Sequence, residues 1–154
     1  MARVTPWIAL AARLYLGAVF IAACLHKIAH PYAFAVDVAT YGILPLALVN
    51  PTALVLPWVE LAAGGMLVIG LRVRAAALLV AGMMVVFMVA LGVALARGLD
   101  ISCGCFASSG AEADPISWLT MARDGAWLAL AVLVIVADRA PIGLDRWIGR
   151  RDSR

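Results

Sequence analysis

Residues 101–106 read Ile-Ser-Cys-Gly-Cys-Phe, which sets Cys103 and Cys105 two positions apart across Gly104. Two thiols this close can cycle between dithiol and disulfide, or can share a soft metal ion. Residues i and i+2 of an extended chain are roughly 6.6 Å apart at Cα, the upper edge of disulfide geometry, so closure requires the bend that a glycine permits. A bridge closed across one residue is strained, and it removes little entropy from the unfolded chain. A passive crosslink is the bland reading, yet such a bridge is a poor staple and an easily reduced couple.

A second set of residues carries charge into apolar surroundings. Glu60 and the adjacent Arg123 and Asp124 stand inside long apolar runs, Lys27 closes another run, and Arg97 precedes the thiol segment. An ionisable group within lipid costs several kcal/mol unless it is paired, so these positions are functional candidates. They fit a structural ion pair from Glu60 to Arg123 or to Lys27, and they equally fit a polar site beneath the thiols. Cationic neighbours such as Arg97, Lys27 or Arg123 would also lower a thiol pKa and sharpen its reactivity. Cys24 reads as a small buried hydrophobe, with a third reacting thiol as the alternative. His26 and His30, taken with Cys24, Cys103 and Cys105, supply the donors of a soft-metal site for copper(I), zinc or mercury(II), although nothing in the spacing turns the histidines toward the loop.

The elements that must position these residues follow from composition. Of 154 residues, 66% are hydrophobic and 14% charged, and the mean hydropathy is +1.04, far from an ordinary soluble domain. Runs long enough to cross a bilayer cover 6–28, 52–71, 75–96 and 116–137. Thr5-Pro6, Asn50-Pro51 and Asp114-Pro115 provide the start signals of three of them, since proline suits a first helical turn. Pro57 should kink the second span one turn before Glu60. Arg72 and Arg74 flank a short turn, which makes the second and third spans antiparallel neighbours. Small residues such as Ala62, Ala63, Gly64, Gly65 and Gly82 allow helices to approach closely. Between the first two spans, residues 30–45 are apolar but broken by Asp37, Gly42 and two prolines. A short interfacial or re-entrant helix from Pro31, with Tyr32 and Tyr41 at headgroup depth, accounts for them. The expected fold is an all-α membrane protein, a four-helix transmembrane bundle over residues 1–138 followed by a basic tail over 139–154.

Charge sets the expected orientation. Of twelve Lys and Arg residues, only Lys27, Arg97 and Arg123 fall on the side that holds the thiol segment, so both termini are expected in the cytoplasm and the thiols outside the bacterial inner membrane. Glu60 and Arg123 then sit roughly 10–14 Å deep in the outward half. The net charge of +3 belongs to this arginine asymmetry and does not point to nucleic acid. The stretch from Arg3 to Ile21-Ala22-Ala23-Cys24 also has the form of a lipoprotein signal, but a retained first span gives the even helix count and is preferred.

With these residues in place the chain resembles the MauE/DoxX family of small four-helix membrane proteins, and its MauE branch more closely. The resemblance runs from Arg13 to about Ala131. It rests on Lys27, Pro31 and Phe34, on Tyr41 through Pro45, on Leu56-Pro57-Trp58-Val59-Glu60 with Gly64-Gly65, and above all on Arg97-Gly98-Leu99-Asp100-Ile101-Ser102-Cys103-Gly104-Cys105-Phe106. Pro115-Ile116-Ser117-Trp118 and Arg123-Asp124 extend it into the fourth span. Two positions depart from the family pattern: Ala107 replaces the glycine that usually follows the phenylalanine, and Cys24 replaces a small residue. The resemblance implies a redox-associated role in the bacterial envelope, disulfide handling during maturation of a periplasmic enzyme.

The leading expectation is therefore a membrane thiol–disulfide oxidoreductase or its accessory, exchanging electrons through Cys103 and Cys105 with a thioredoxin-like or maturing envelope protein. A lipid quinone near Trp58, Trp118 and Arg123 is the expected second electron partner, by analogy with other membrane thiol oxidoreductases. A soft-metal binding or transport protein using the same cysteines is the rival. A non-catalytic assembly subunit for a periplasmic enzyme, holding a larger envelope complex, is the third reading; small-residue helix faces would suit partners and equally the packing of the bundle itself.

Overall fold

The computed structural model describes residues 5–99, 101 and 116–137. Five helices follow one another: α1 (Thr5–Ala29), α2 (Pro31–Thr40), α3 (Leu46–Ile69), α4 (Val73–Ala96) and α5 (Trp118–Ala137). All except α2 are long and apolar enough to cross a membrane. The protein is thus an all-α, multi-pass membrane protein, with the expected short helix between its first and second spans. The tail over 139–154 lies outside the described residues, as do Cys103 and Cys105.

The spanning helices form a ring in which α1 packs on α3 and α5, and α4 packs on α5 and α3, while α2 lies against α3 and, more lightly, α1. Leu16, Phe20, Leu67, Val80 and Val134 fill the centre. Burial among apolar side chains gains little over lipid, so close van der Waals contact must hold the ring. The tightest contact is at Gly17 and Gly64. A Cβ on Gly17 would lie 2.9 Å from the Gly64 carbonyl oxygen, and one on Gly64 would lie 3.0 Å from that of Gly17. Gly65 and Gly82, expected to act in the same way, have open space where a Cβ would be. Only Gly64 of the three glycines serves a close approach, and its partner Gly17 is one that the sequence reading does not single out.

Helix boundaries differ from the sequence reading where prolines mislead. The third helix starts at Leu46, with Pro45 in the N-cap position, and Pro51 lies inside it. Its missing N–H falls on the carbonyl of Ala47 in the first turn, where a lost bond is least costly. Pro57 is buried within the same helix and deprives the Ala53 carbonyl of its helical donor. The fourth helix starts at Val73, two residues before the expected 75. In α5 the cap is Ser117, whose Oγ accepts from the Thr120 N–H at 3.2 Å, so the helix starts at Trp118 and not at 116.

Two glycines shape the ends that matter for the site. Gly70, with φ 76°, closes α3, and the N–H groups of Gly70 and Leu71 both donate to the Met66 carbonyl at 3.0 Å. Residues 70–72 then turn the chain into α4, making α3 and α4 antiparallel as expected. At the other end of α4, Gly98 has φ 65°, its N–H donates to Leu95 at 3.0 Å, and that of Leu99 donates to Ala94 at 3.1 Å. This paired closure stops the helix at Ala96, with Arg97 as its C-cap.

Candidate functional site

Lys27 in the last turn of α1 and Glu60 in the middle of α3 are brought together because these two helices pack side by side. The Lys27 Nζ donates to both Glu60 carboxylate oxygens at 2.9 Å, and each residue is only 7% exposed. The ammonium also lies 5.0 Å from the centroid of the Phe34 ring on α2, which adds a cation–π contact. Two-oxygen geometry of this kind is what a buried pair needs to offset the desolvation of both ions. The sequence left Arg123 and Lys27 as alternative partners of Glu60, and the structure gives the ion pair to Lys27.

Arg123 instead meets its neighbour. Its Nε is 3.3 Å from Asp124 Oδ1, and its guanidinium stands 5.0 Å over the Trp127 ring. The Trp127 Nε1 in turn donates to the Tyr15 hydroxyl at 3.4 Å. Asp124 is fully buried.

Lys27, Glu60, Asp37, Tyr41, Asp124 and Trp127 all border one cavity of about 870 Å³, whose remaining lining is mostly apolar and includes Phe20, Phe34, Leu56 and Val86. Tyr41, buried after the end of α2, has its phenol pKa pushed up, first by burial and then by the Asp37 and Asp124 carboxylates. Polar groups of α1, α2, α3 and α5 thus border one cavity together with Tyr41.

Arg97 is the described cation nearest in sequence to Cys103 and Cys105. Its Nη1 is 3.8 Å from where a Cβ on Gly42 would be, so it lies against the turn that follows Tyr41. Gly42 has φ 60°, a conformation that favours glycine. The chain leaves α4 beside this turn, and the Ile116 N–H donates to the Ile101 carbonyl at 3.1 Å. Ile101 and Ile116 thus stand side by side.

Other expected site residues are placed differently. Cys24 is buried in α1, with its thiol donating to the Ile21 carbonyl at 3.1 Å. The rings of His26 and His30 are 5.0 Å apart and tilted, and among the described residues no group of three His, Cys, Asp or Glu side chains is arranged to hold a metal ion. Trp58 and Trp118 are 60% and 76% exposed and do not border the cavity, whose tryptophan is Trp127. Asp37, Tyr41 and Trp127 are not among the expected site residues. A signal existed: Phe34, Asp37 and Tyr41 fall on one helical face, and Trp127 follows Arg123 by one turn.

Comparison with known proteins places this architecture. Residues 5–137 match the family model described as methylamine utilisation protein MauE. The chain is similar to the methylamine utilization protein MauE of Paracoccus denitrificans, 35% identical over 132 residues covering 85% of this chain and 70% of that protein. The corresponding protein of Methylorubrum extorquens is 36% identical over 120 residues, 77% of this chain and 63% of its own length. That of Methylophilus methylotrophus is 39% identical over 102 residues, 65% of this chain and 53% of its own length. The chain therefore spans between about half and seven tenths of these relatives. No solved structure matches it.

Proposed function

The chain belongs to the MauE family, and from that premise we propose that it is a membrane thiol–disulfide redox protein serving methylamine utilisation, with Cys103 and Cys105 as its couple. The end of the bundle that bears them faces the outside of the bacterial inner membrane, and both termini are cytoplasmic. This orientation is supported by the concentration of arginines at the opposite end and by the need of a disulfide for an oxidising compartment.

The observation that carries the reading is the hydrogen bond between Ile116 and Ile101. With Ile101 fixed there, chain length alone holds the Cα of Cys103 within about 7 Å of it and that of Cys105 within about 14 Å. That bound keeps both cysteines within reach of the end of the bundle at which Ile101 stands, and a cation at that end, such as Arg97, would favour a thiolate. In exchange, one thiolate attacks the disulfide of a thioredoxin-like or maturing envelope protein and forms a mixed disulfide. The second cysteine then attacks, its sulfur displacing the partner thiol and closing the Cys103–Cys105 bond; both steps run in reverse as well, and a partner dithiol that attacks the closed bond leaves with its own disulfide and returns the pair to two thiols.

Equilibrating the purified protein in glutathione buffers of graded potential, then blocking free thiols with a maleimide, tests this. The expected result is a two-electron transition in which Cys103 and Cys105 lose reactivity together. Labelling of both at every potential would refute the couple.

A further inference from the structure

The polar residues that border the cavity lie on three spanning helices and on α2 with the residue after it, and the apolar lining determines how a ligand reaches them. Val86, Val89 and Leu78 border the cavity on α4 and are 71%, 62% and 59% exposed. They belong to a helix apolar enough to cross a bilayer, so their exposed surface meets lipid, and a ligand enters sideways from the membrane. A volume of about 870 Å³ accommodates a substituted ring with the first units of an apolar chain.

Charge selects the head group. Lys27 has three N–H donors, and two are directed at Glu60, which leaves one for a ligand. Lys27 is already matched by Glu60 and Arg123 by Asp124, so a phosphate or carboxylate head would bring a charge that neither cation is left to balance. A neutral carbonyl suits both conditions: it accepts from the ammonium and brings no negative charge. Phe34 and Trp127, also in the lining, offer faces against which a flat ring packs.

We propose that the cavity binds the ring of a lipid-soluble quinone, with one carbonyl accepting a hydrogen bond from Lys27, and that this quinone takes the electrons of the thiol pair. The second half rests on the thiol–disulfide reading above. The balance is complete: two thiols lose two electrons and two protons as one S–S bond forms, and the quinone gains both as its two carbonyls become hydroxyls. The site differs from the neighbourhood of Trp58 and Trp118 that the sequence pointed to.

The test uses the full chain with Trp7, Trp58, Trp118 and Trp147 replaced by Phe, so that Trp127 is the single fluorophore, and decylubiquinone as the probe. Quenching should saturate. Gly82 borders the cavity and a Cβ there has nothing within 4 Å, so Gly82→Phe should fill the space without disturbing packing and weaken the saturable quenching at least tenfold. Val89→Phe on the lipid-facing rim serves as a second obstruction that adds no tryptophan, and circular dichroism reports the fold of both. Cys103→Ser/Cys105→Ser should bind decylubiquinone unchanged. Quenching that rises linearly with the probe and ignores both obstructions would overturn the site. Saturable binding to the reduced protein with no loss of maleimide-reactive thiols would overturn the acceptor role. A pair that never forms a disulfide in any buffer would instead defeat the underlying thiol reading and leave the binding result standing.

Discussion

Glu60→Ala should lower the stability of the purified protein by about 3–5 kcal/mol, because it leaves the Lys27 ammonium buried with no carboxylate to compensate it. The pair is 7% exposed on both sides and its two contacts are 2.9 Å long, so neither ion has water to fall back on. Lys27→Met should be damaging for the mirror reason. The double variant Lys27→Met/Glu60→Met should recover most of the loss, since replacing both ions by apolar side chains removes the desolvation cost together with the attraction. Equilibrium unfolding of the four proteins in mixed detergent micelles gives the coupling. Single variants within about 0.5 kcal/mol of the parent would mean that the charges are solvated, and the cavity would then lose its ordered donor.

Replacing one cysteine of the pair has the other large effect, and it falls on chemistry and not on stability. Cys103→Ser and Cys105→Ser should each abolish cycling with a disulfide-bearing envelope partner, because one thiol can open a mixed disulfide but cannot release it. Whichever variant keeps the attacking thiol should accumulate the mixed disulfide, visible as a reducible higher-mass species. Stability should change by less than about 0.5 kcal/mol, since a bridge across one residue constrains the unfolded chain little. Cys24→Ala should leave cycling in place, because that thiol is buried and donates to its own helix. Full cycling in Cys103→Ser/Cys105→Ser would show that the pair does no exchange.

Hydropathy alone disclosed the four spans, because a membrane imposes length and apolarity on every crossing segment. It misplaced the start of α3 because Asn50-Pro51 imitates a cap, although the apolar run continues back to Leu46. The charged residues were visible as exceptions within apolar runs. Their pairing was not, since Lys27 and Arg123 lie at the same end of the bundle and only the packing of α1 on α3 decides between them. Gly17 gave no warning in sequence, as a close approach depends on what stands opposite. The cavity is harder still: its lining is drawn from all five helices, and a gap between helices has no motif. Trp127 therefore gives no sign in sequence, while Trp58 and Trp118, which do not border this cavity, stand out by their neighbours in the chain.

The central claim is a redox-active cysteine pair exposed on the outward face of the membrane, and sided labelling in spheroplasts reads both properties at once. A membrane-impermeant maleimide is added after equilibration in reducing or oxidising buffer, with Arg74→Cys in the turn-side end of α4 as the inward reference. Cys103 and Cys105 should label from outside after reduction and escape labelling after oxidation, while position 74 labels only once the membrane is permeabilised. Labelling of Cys103 and Cys105 only after permeabilisation, or to the same extent in both buffers, would contradict the account.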